Sequence, residues 1–162
     1  MKNLNICEQD AFLELYPKSK KPVGANWREQ GKSQEEALCA NGNLGLLLGT
    51  KSSVMDVDLD CSEAKGLADL ILPKPFVQFD SCTADSVHFL YKATSFAPTK
   101  RFGGNGAKTT LVELRGDGAQ TMIPPSVHPD GDSLVFKDTN PDAGGIEYLD
   151  LLRSVSLLAA CT

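Results

Sequence analysis

The chain has 162 residues, 41% of them hydrophobic and 23% charged, with a formal net charge of −5. That length suits one domain with a single sizeable core, and that charge argues against a strongly basic nucleic-acid coat, though not against a local basic groove. Five scattered cysteines without C-x-x-C spacing argue against a zinc site or a disulfide framework and for reduced thiols in the cytoplasm, while the absence of an apolar signal core or of roughly 20 consecutive apolar residues gives no reason to expect a membrane partner.

Taken in order, residues 8–16 read as a short helix with Phe12, Leu13 and Tyr16 on its apolar side. Pro17 ends it, and Lys18, Lys20 and Lys21 make a basic loop that faces either an anionic partner or water. The single Trp27 reads as a packing anchor, with Arg28 beside it. Ser33-Gln34-Glu35-Glu36 is a capping box that predicts a helix over about 34–40. Strands follow at about 43–49 and 53–58. Asp60 and Glu63 form a second capping pattern, with Asp60 as N-cap of a helix through about Leu72. Phe76–Phe79, Ser86–Tyr91, Thr109–Arg115, Thr121–Ile123 and Leu134–Phe136 are strand candidates. Residues 98–108, rich in Gly, Lys and Arg, read as a loop without the G-K-[ST] of a phosphate-binding loop. Gly116-Asp117-Gly118 is a tight turn, and Pro124-Pro125 a rigid one. An amphipathic helix is expected over about 146–160, with Ile146, Leu149, Leu152 and Val155 at helical spacing.

Three of these strands share a pattern. Side chains alternate across an extended chain, so Asp56/Asp58, Ser86/His88 and Glu113/Arg115 each place two polar groups on one face, about 6–7 Å apart along the strand. Two neighbouring carboxylates repel, and burying them unpaired is costly; a divalent cation with a preference for carboxylate oxygen is one remedy, and a solvated strand end is another. Taken together, three carboxylates, a His, a Ser and an Arg suit metal-assisted phosphoryl chemistry. Taken singly, His88, Glu113, Arg115 and His128 are each better explained by structure or solvent, and the case rests on their occurring together on one face.

The order Asp-x-Asp at 56–58, Ser-x-His at 86–88, Val112-Glu113-Leu114-Arg115-Gly116-Asp117-Gly118 and Pro124-Pro125-Ser126-Val127-His128-Pro129-Asp130-Gly131, together with Lys21-Pro22…Trp27 and Asn43-Leu44-Gly45, resembles the bifunctional DNA primase/polymerase (Prim-Pol) domain of the archaeo-eukaryotic primase superfamily. The resemblance spans roughly residues 10–137, and the Pro-Pro-Ser-x-His-Pro-x-Gly stretch is its most specific part. It implies an α+β fold with a primase-type core: a mixed or antiparallel sheet, flanking helices, an RRM-like catalytic part, and a single catalytic domain over 1–162. It implies template-dependent nucleotidyl transfer from a dNTP or NTP to a 3′-hydroxyl in plasmid, phage or mobile-element replication. Asp56, Asp58 and Glu113 would carry Mg²⁺ or Mn²⁺ and the catalysis. His88 with Ser86 would hold the incoming triphosphate, and Arg115, Ser126 and His128 would contact the nucleotide. The implied partners are a single-stranded DNA template and primer and a replicative helicase, fused or separate. Two rival readings use the same residues: a metal-dependent nuclease or phosphohydrolase, and a catalytically decayed, non-enzymatic replication module.

Overall fold

The structure, a computed structural model, describes residues 6–81, 86–103 and 110–162. In chain order the elements are β1 (Phe12–Leu15), α1 (Gln34–Leu38), β2 (Asn43–Leu47), β3 (Val54–Leu59), α2 (Ser62–Ile71), β4 (Val77–Ser81), β5 (Val87–Lys92), β6 (Lys100–Gly103), β7 (Thr110–Arg115), β8 (Gln120–Ile123), β9 (Leu134–Thr139) and α3 (Tyr148–Ala160). The strands make two sheets, one ordered β1-β2-β8 and the other β6-β7-β3-β5-β4-β9, with antiparallel pairing throughout both. The fold is therefore α+β with antiparallel sheets and a few helices.

Alternation along the strands decides the layers. On one face of the larger sheet Met55, Val57 and Leu59 of β3, Phe89 and Tyr91 of β5, and Val112 and Leu114 of β7 are buried against Ala64 and Ala68 of α2 and Leu151, Val155 and Leu158 of α3. On the other face Val77, Phe79 and Leu90 pack with Leu13, Leu46, Met122 and Ile123 of the smaller sheet. Each fully buried aliphatic or aromatic side chain contributes about 1.5–3 kcal/mol. The smaller sheet covers only part of that second face. Asp58, His88 and Glu113 lie on this second face, His88 and Glu113 buried and Asp58 partly open.

Four local expectations change. Residues 12–15 are a strand, not part of a helix: Phe12, Leu13 and Leu15 are all buried and pair in register with Leu46, Gly45 and Asn43. Tertiary burial on both faces outweighs a short helical periodicity. The predicted loop at 98–108 contains β6, which places Arg101 opposite Glu113; the remainder of that loop, 104–109, lies outside the described residues. The N-cap of α2 is Cys61, whose Sγ accepts from the Ala64 amide at 3.4 Å. Asp60 is not the cap. Its own amide donates to Leu111 O at 3.0 Å, so it continues the β3–β7 pairing. In α3 the buried stripe is Leu151, Val155 and Leu158, and Leu149 is 60% exposed. The capping box of α1 forms as expected, with Ser33 and Glu36 satisfying each other's amides.

Candidate active site

The register of β3 with its two neighbours assembles the polar face. Asp58 stands opposite His88 on β5 and Glu113 on β7, and Asp56 stands opposite Leu90 and Arg115. Arg101 on β6 extends the first row beyond Glu113, and Phe79 on β4 extends it beyond His88. Asp58 is 30 positions from His88 and 55 from Glu113, and Asp56 is 59 from Arg115, yet strand pairing alone makes them lateral neighbours.

Asp56 is fully buried. Its carboxylate accepts from His88 Nδ1, which lies 3.2 Å from Oδ1 and 3.0 Å from Oδ2; a carboxylate can only accept, so Nδ1 carries the proton. His88 Nε2 lies 3.6 Å from Asp58 Oδ1. The ring is stacked on Phe79, with centroids 4.6 Å apart and planes 7° from parallel, which fixes both nitrogens. Arg115 Nη1 is 3.8 Å from Asp56 Oδ2 and 3.8 Å from Asp58 Oδ2, and its Nε is 3.6 Å from Glu113 Oε2. Arg101 Nε lies 2.8 Å from Glu113 Oε1, close but without the alignment of a hydrogen bond.

The charges set the protonation states. Burial opposes the charged form of His88, but Asp56 and then Asp58 outweigh it and raise its pKa above the usual histidine value. Burial likewise opposes ionisation of Asp56, and His88 and Arg115, with a hydrogen bond from Thr121, hold it below the usual carboxylate range. Asp60, on the same face of β3 as Asp56 and Asp58, is pushed up to about 6, first by desolvation and then by Asp58, with Glu113 adding to the rise and His88 and Lys20 opposing it. Its residue surface is open to solvent, so screening weakens these interactions. Sequence reasoning assigned Asp60 to the helix and missed its place on this face; the i, i+2, i+4 spacing of 56, 58 and 60 was the available signal.

A cleft opens beside this row, lined by Lys20, Ser86, His88, Arg115, His128 and Asp130 among others. His128 Nδ1 lies 2.9 Å from Asp130 Oδ2. Ser126 does not line the cleft. It is 3% exposed, and its Oγ accepts from Leu44 N at 2.8 Å and donates to Leu44 O at 3.1 Å. Asn43 makes a parallel clamp, donating to Val127 O at 2.7 Å and accepting from Val127 N at 2.9 Å. Both tie the loop that carries His128 onto β2. Asp117, in the Arg-Gly-Asp-Gly turn, accepts from Thr50 N at 2.7 Å and from its hydroxyl at 2.9 Å. The structure thus brings Asp56, Asp58, Glu113, His88 and Arg115 together, places Ser86 and His128 on the adjoining cleft, and turns Ser126 into the protein.

The donor chemistry of this face fits a hard divalent cation, because its ligands would be carboxylates. Asp58 Oδ1 and Glu113 Oε1 are buried with no hydrogen-bond partner, an arrangement that is expensive unless opposite charge stands nearby. Arg101, Arg115 and His88 supply that charge. Among the described residues, no three His, Cys, Asp or Glu side chains converge as on a bound ion; the carboxylates are turned toward the chain's own cations.

The fold and site define a class: an antiparallel α+β protein with one sheet face of mixed acidic and basic groups, suited to charged, phosphate-bearing ligands. Within that class, the family model for the bifunctional DNA primase/polymerase N-terminal domain (Prim-Pol) matches residues 8–144, and the chain belongs to that family. It is a primase/polymerase domain, and membership carries nucleotidyltransferase chemistry in general, with DNA and nucleotides as substrates, in DNA replication. The family is generally metal-dependent. No curated protein matches the chain significantly. No helix among the described residues is long and apolar enough to cross a membrane.

Proposed function

We propose that residues 1–162 are a single catalytic domain that extends a DNA primer on a single-stranded template, joining a dNTP or NTP to the 3′-hydroxyl with two Mg²⁺ or Mn²⁺ ions. The observation that carries this reading is the row Glu113–Asp58–His88 across β7, β3 and β5, with Asp56 and Arg115 in the next row. The strand order β7-β3-β5-β4, with α2 joining β3 to β4, supports an RRM-like catalytic part.

In this reading Asp56, Asp58 and Glu113 hold the ions. Divalent metal bound there supplies acidification of the attacking hydroxyl and charge neutralisation at the leaving pyrophosphate. The protein's own groups bind and orient. His88 keeps Nδ1–H on Asp56 and presents Nε2 beside Asp58, from where a protonated ring donates to a phosphate oxygen. Ser86 continues the same face of β5 toward the cleft. Arg115, held by three carboxylates, adds a fixed positive charge. His128 lines the cleft and contacts the nucleotide, and Ser126 acts by holding its loop.

Primer extension on a single-stranded template, run with dNTPs and with NTPs, tests the proposal. The wild-type chain elongates the primer, and Asp56→Ala with Asp58→Ala abolishes incorporation. Full incorporation by the double variant overturns the assignment. Shortening of labelled DNA in Mn²⁺ without nucleotides, and no extension with them, establishes the nuclease reading instead.

A further inference from the structure

Two arginines compensate the carboxylate row, and they are held very differently. Arg115 is three-quarters buried in its side chain and lies within ion-pair distance of Asp56, Asp58 and Glu113. Arg101 projects from β6, an edge strand of the larger sheet. Its side chain is 68% exposed, whereas that of Glu113 is 12% exposed. The Nε–Oε1 contact of 2.8 Å lacks hydrogen-bond alignment, which leaves Glu113 Oε1 buried with charge compensation and no hydrogen bond. A buried carboxylate oxygen in that condition will take a better partner. An exposed guanidinium loses little by leaving, because water solvates it at once.

We infer that Arg101 is an exchangeable counter-ion of Glu113. It neutralises the carboxylate while no divalent ion is bound, leaves when one binds, and then stands free at the open rim of the site, where it meets the phosphates of an incoming nucleotide. This rests on the reading of Glu113 as a metal ligand. Two cations cannot share one carboxylate edge without mutual repulsion, so metal and Arg101 compete. The same guanidinium favours a polyanion once it is released. Arg101 is therefore a positioning residue that opposes metal alone and favours metal with nucleotide.

Mn²⁺ titration of the full chain, with free Mn²⁺ followed by electron paramagnetic resonance, reads the first effect. Arg101→Gln is expected to bind Mn²⁺ roughly three- to fivefold more tightly than wild type in the absence of nucleotide, the scale of losing one exposed ion-pair competitor. Arg101→Lys, which keeps the charge and loses the fork, falls between. With Mn²⁺ saturating, dATP binding by calorimetry is weaker in Arg101→Gln than in wild type. A purely structural role for Arg101 would not move the two affinities in opposite directions. Unchanged or weaker Mn²⁺ binding by a folded Arg101→Gln overturns the inference. Glu113→Gln separates the two levels: if it binds Mn²⁺ as wild type does, the ligand assignment itself fails; if it loses Mn²⁺ while Arg101→Gln is unchanged, only the counter-ion role fails.

Discussion

Ser126 separates a structural from a ligand-binding role more sharply than any other residue of the Pro-Pro-Ser-x-His stretch. The substitution Ser126→Ala removes one hydroxyl and two buried hydrogen bonds, the acceptor for Leu44 N at 2.8 Å and the donor to Leu44 O at 3.1 Å. A typical hydrogen bond contributes about 1 kcal/mol net, and a buried donor left without a partner costs about 1–3 kcal/mol. The expected loss is therefore about 2–3 kcal/mol of unfolding free energy. For a chain of this length each kcal/mol lowers Tm by about 2–4 °C, so a drop of about 5–10 °C should appear in a circular-dichroism melt. Nucleotide affinity should fall less than in His128→Ala, because His128 lines the cleft and Ser126 does not. His128→Ala loses only exposed contacts to Asp130, its carboxylate at 2.9 Å and its amide at 3.4 Å, so its Tm should stay within about 2 °C of wild type. A Ser126→Ala protein that melts within about 1 °C of wild type and loses nucleotide binding as fully as His128→Ala would refute the reasoning, since surface-like behaviour is not compatible with a buried clamp.

Other consequences are equally direct. Asp56→Asn removes the counter-charge to His88 Nδ1, so the His88 ring should titrate at lower pH, read from its imidazole carbon proton by NMR, and stability should fall by roughly 3 kcal/mol because Arg115 and His88 remain buried with less compensation. The pH dependence follows from the directions of the two shifts. The raised His88 pKa contributes stability that is complete below its ordinary value of 6.5 and lost as pH rises through the folded value. The lowered Asp56 pKa contributes stability that is complete above its ordinary value of 3.8 and lost as pH falls through the folded value. The gap in stability between wild type and Asp56→Asn should therefore be widest between those two ordinary values, in denaturant titrations at stepped pH. Gly49→Ala should cost at least about 2 kcal/mol, because Gly49 has φ +76° and a Cβ there would lie 2.7 Å from Asp117 Cα and clash with its carboxylate. Leu151→Ala, at a fully buried contact of α3 with the larger sheet, should cost about 2–5 kcal/mol by urea denaturation.

The parts of the molecule legible in the sequence are those governed by local pattern. The alternation through β3, β5 and β7 is preserved because each strand buries one apolar row under α2 and α3, and burial enforces the two-residue period. The box at Ser33–Glu36 is local hydrogen-bond chemistry and needs no partner element, and the turn at Gly116–Gly118 closes locally, Ala119 N donating to Gly116 O at 3.1 Å, although its Asp117 is also held by Thr50 and Ala97. What the sequence hid depends on distant partners. Phe12–Leu15 became a strand only because β2 offers an edge and both faces are covered. Lys100–Gly103 reads as loop by composition, yet pairing with β7 makes it strand and brings Arg101 to Glu113. The role of Ser126 was hidden for the same reason, since Leu44 lies 82 positions away.

The pentapeptide Asp56–Asp60 shows how far one strand can grade the same side chain. Asp56 is fully buried and meets two cationic groups, His88 and Arg115, and its ionisation is favoured despite desolvation. Asp58, one pleat further out, is partly open; Arg115 stands 3.8 Å from it as it does from Asp56, but His88 reaches it at 3.6 Å rather than 3.0 Å, and one of its oxygens has no hydrogen bond. Asp60, at the strand end, is open to solvent and is pushed up to about 6 by desolvation and by Asp58, with Glu113 adding to the rise, against His88 and Lys20. Compensation therefore decreases outward along β3 while negative charge accumulates. A face built only for stability would pair its outer carboxylates as well as its inner one, because unpaired charge near a sheet lowers stability. Here the shortage of positive charge increases toward the end of β3 where the row is open, and the weakly held Arg101 stands on the same open side. That gradient supports the proposed cation site: a rigid, neutralised inner end would fix geometry, and binding would relieve the electrostatic cost of the outer end.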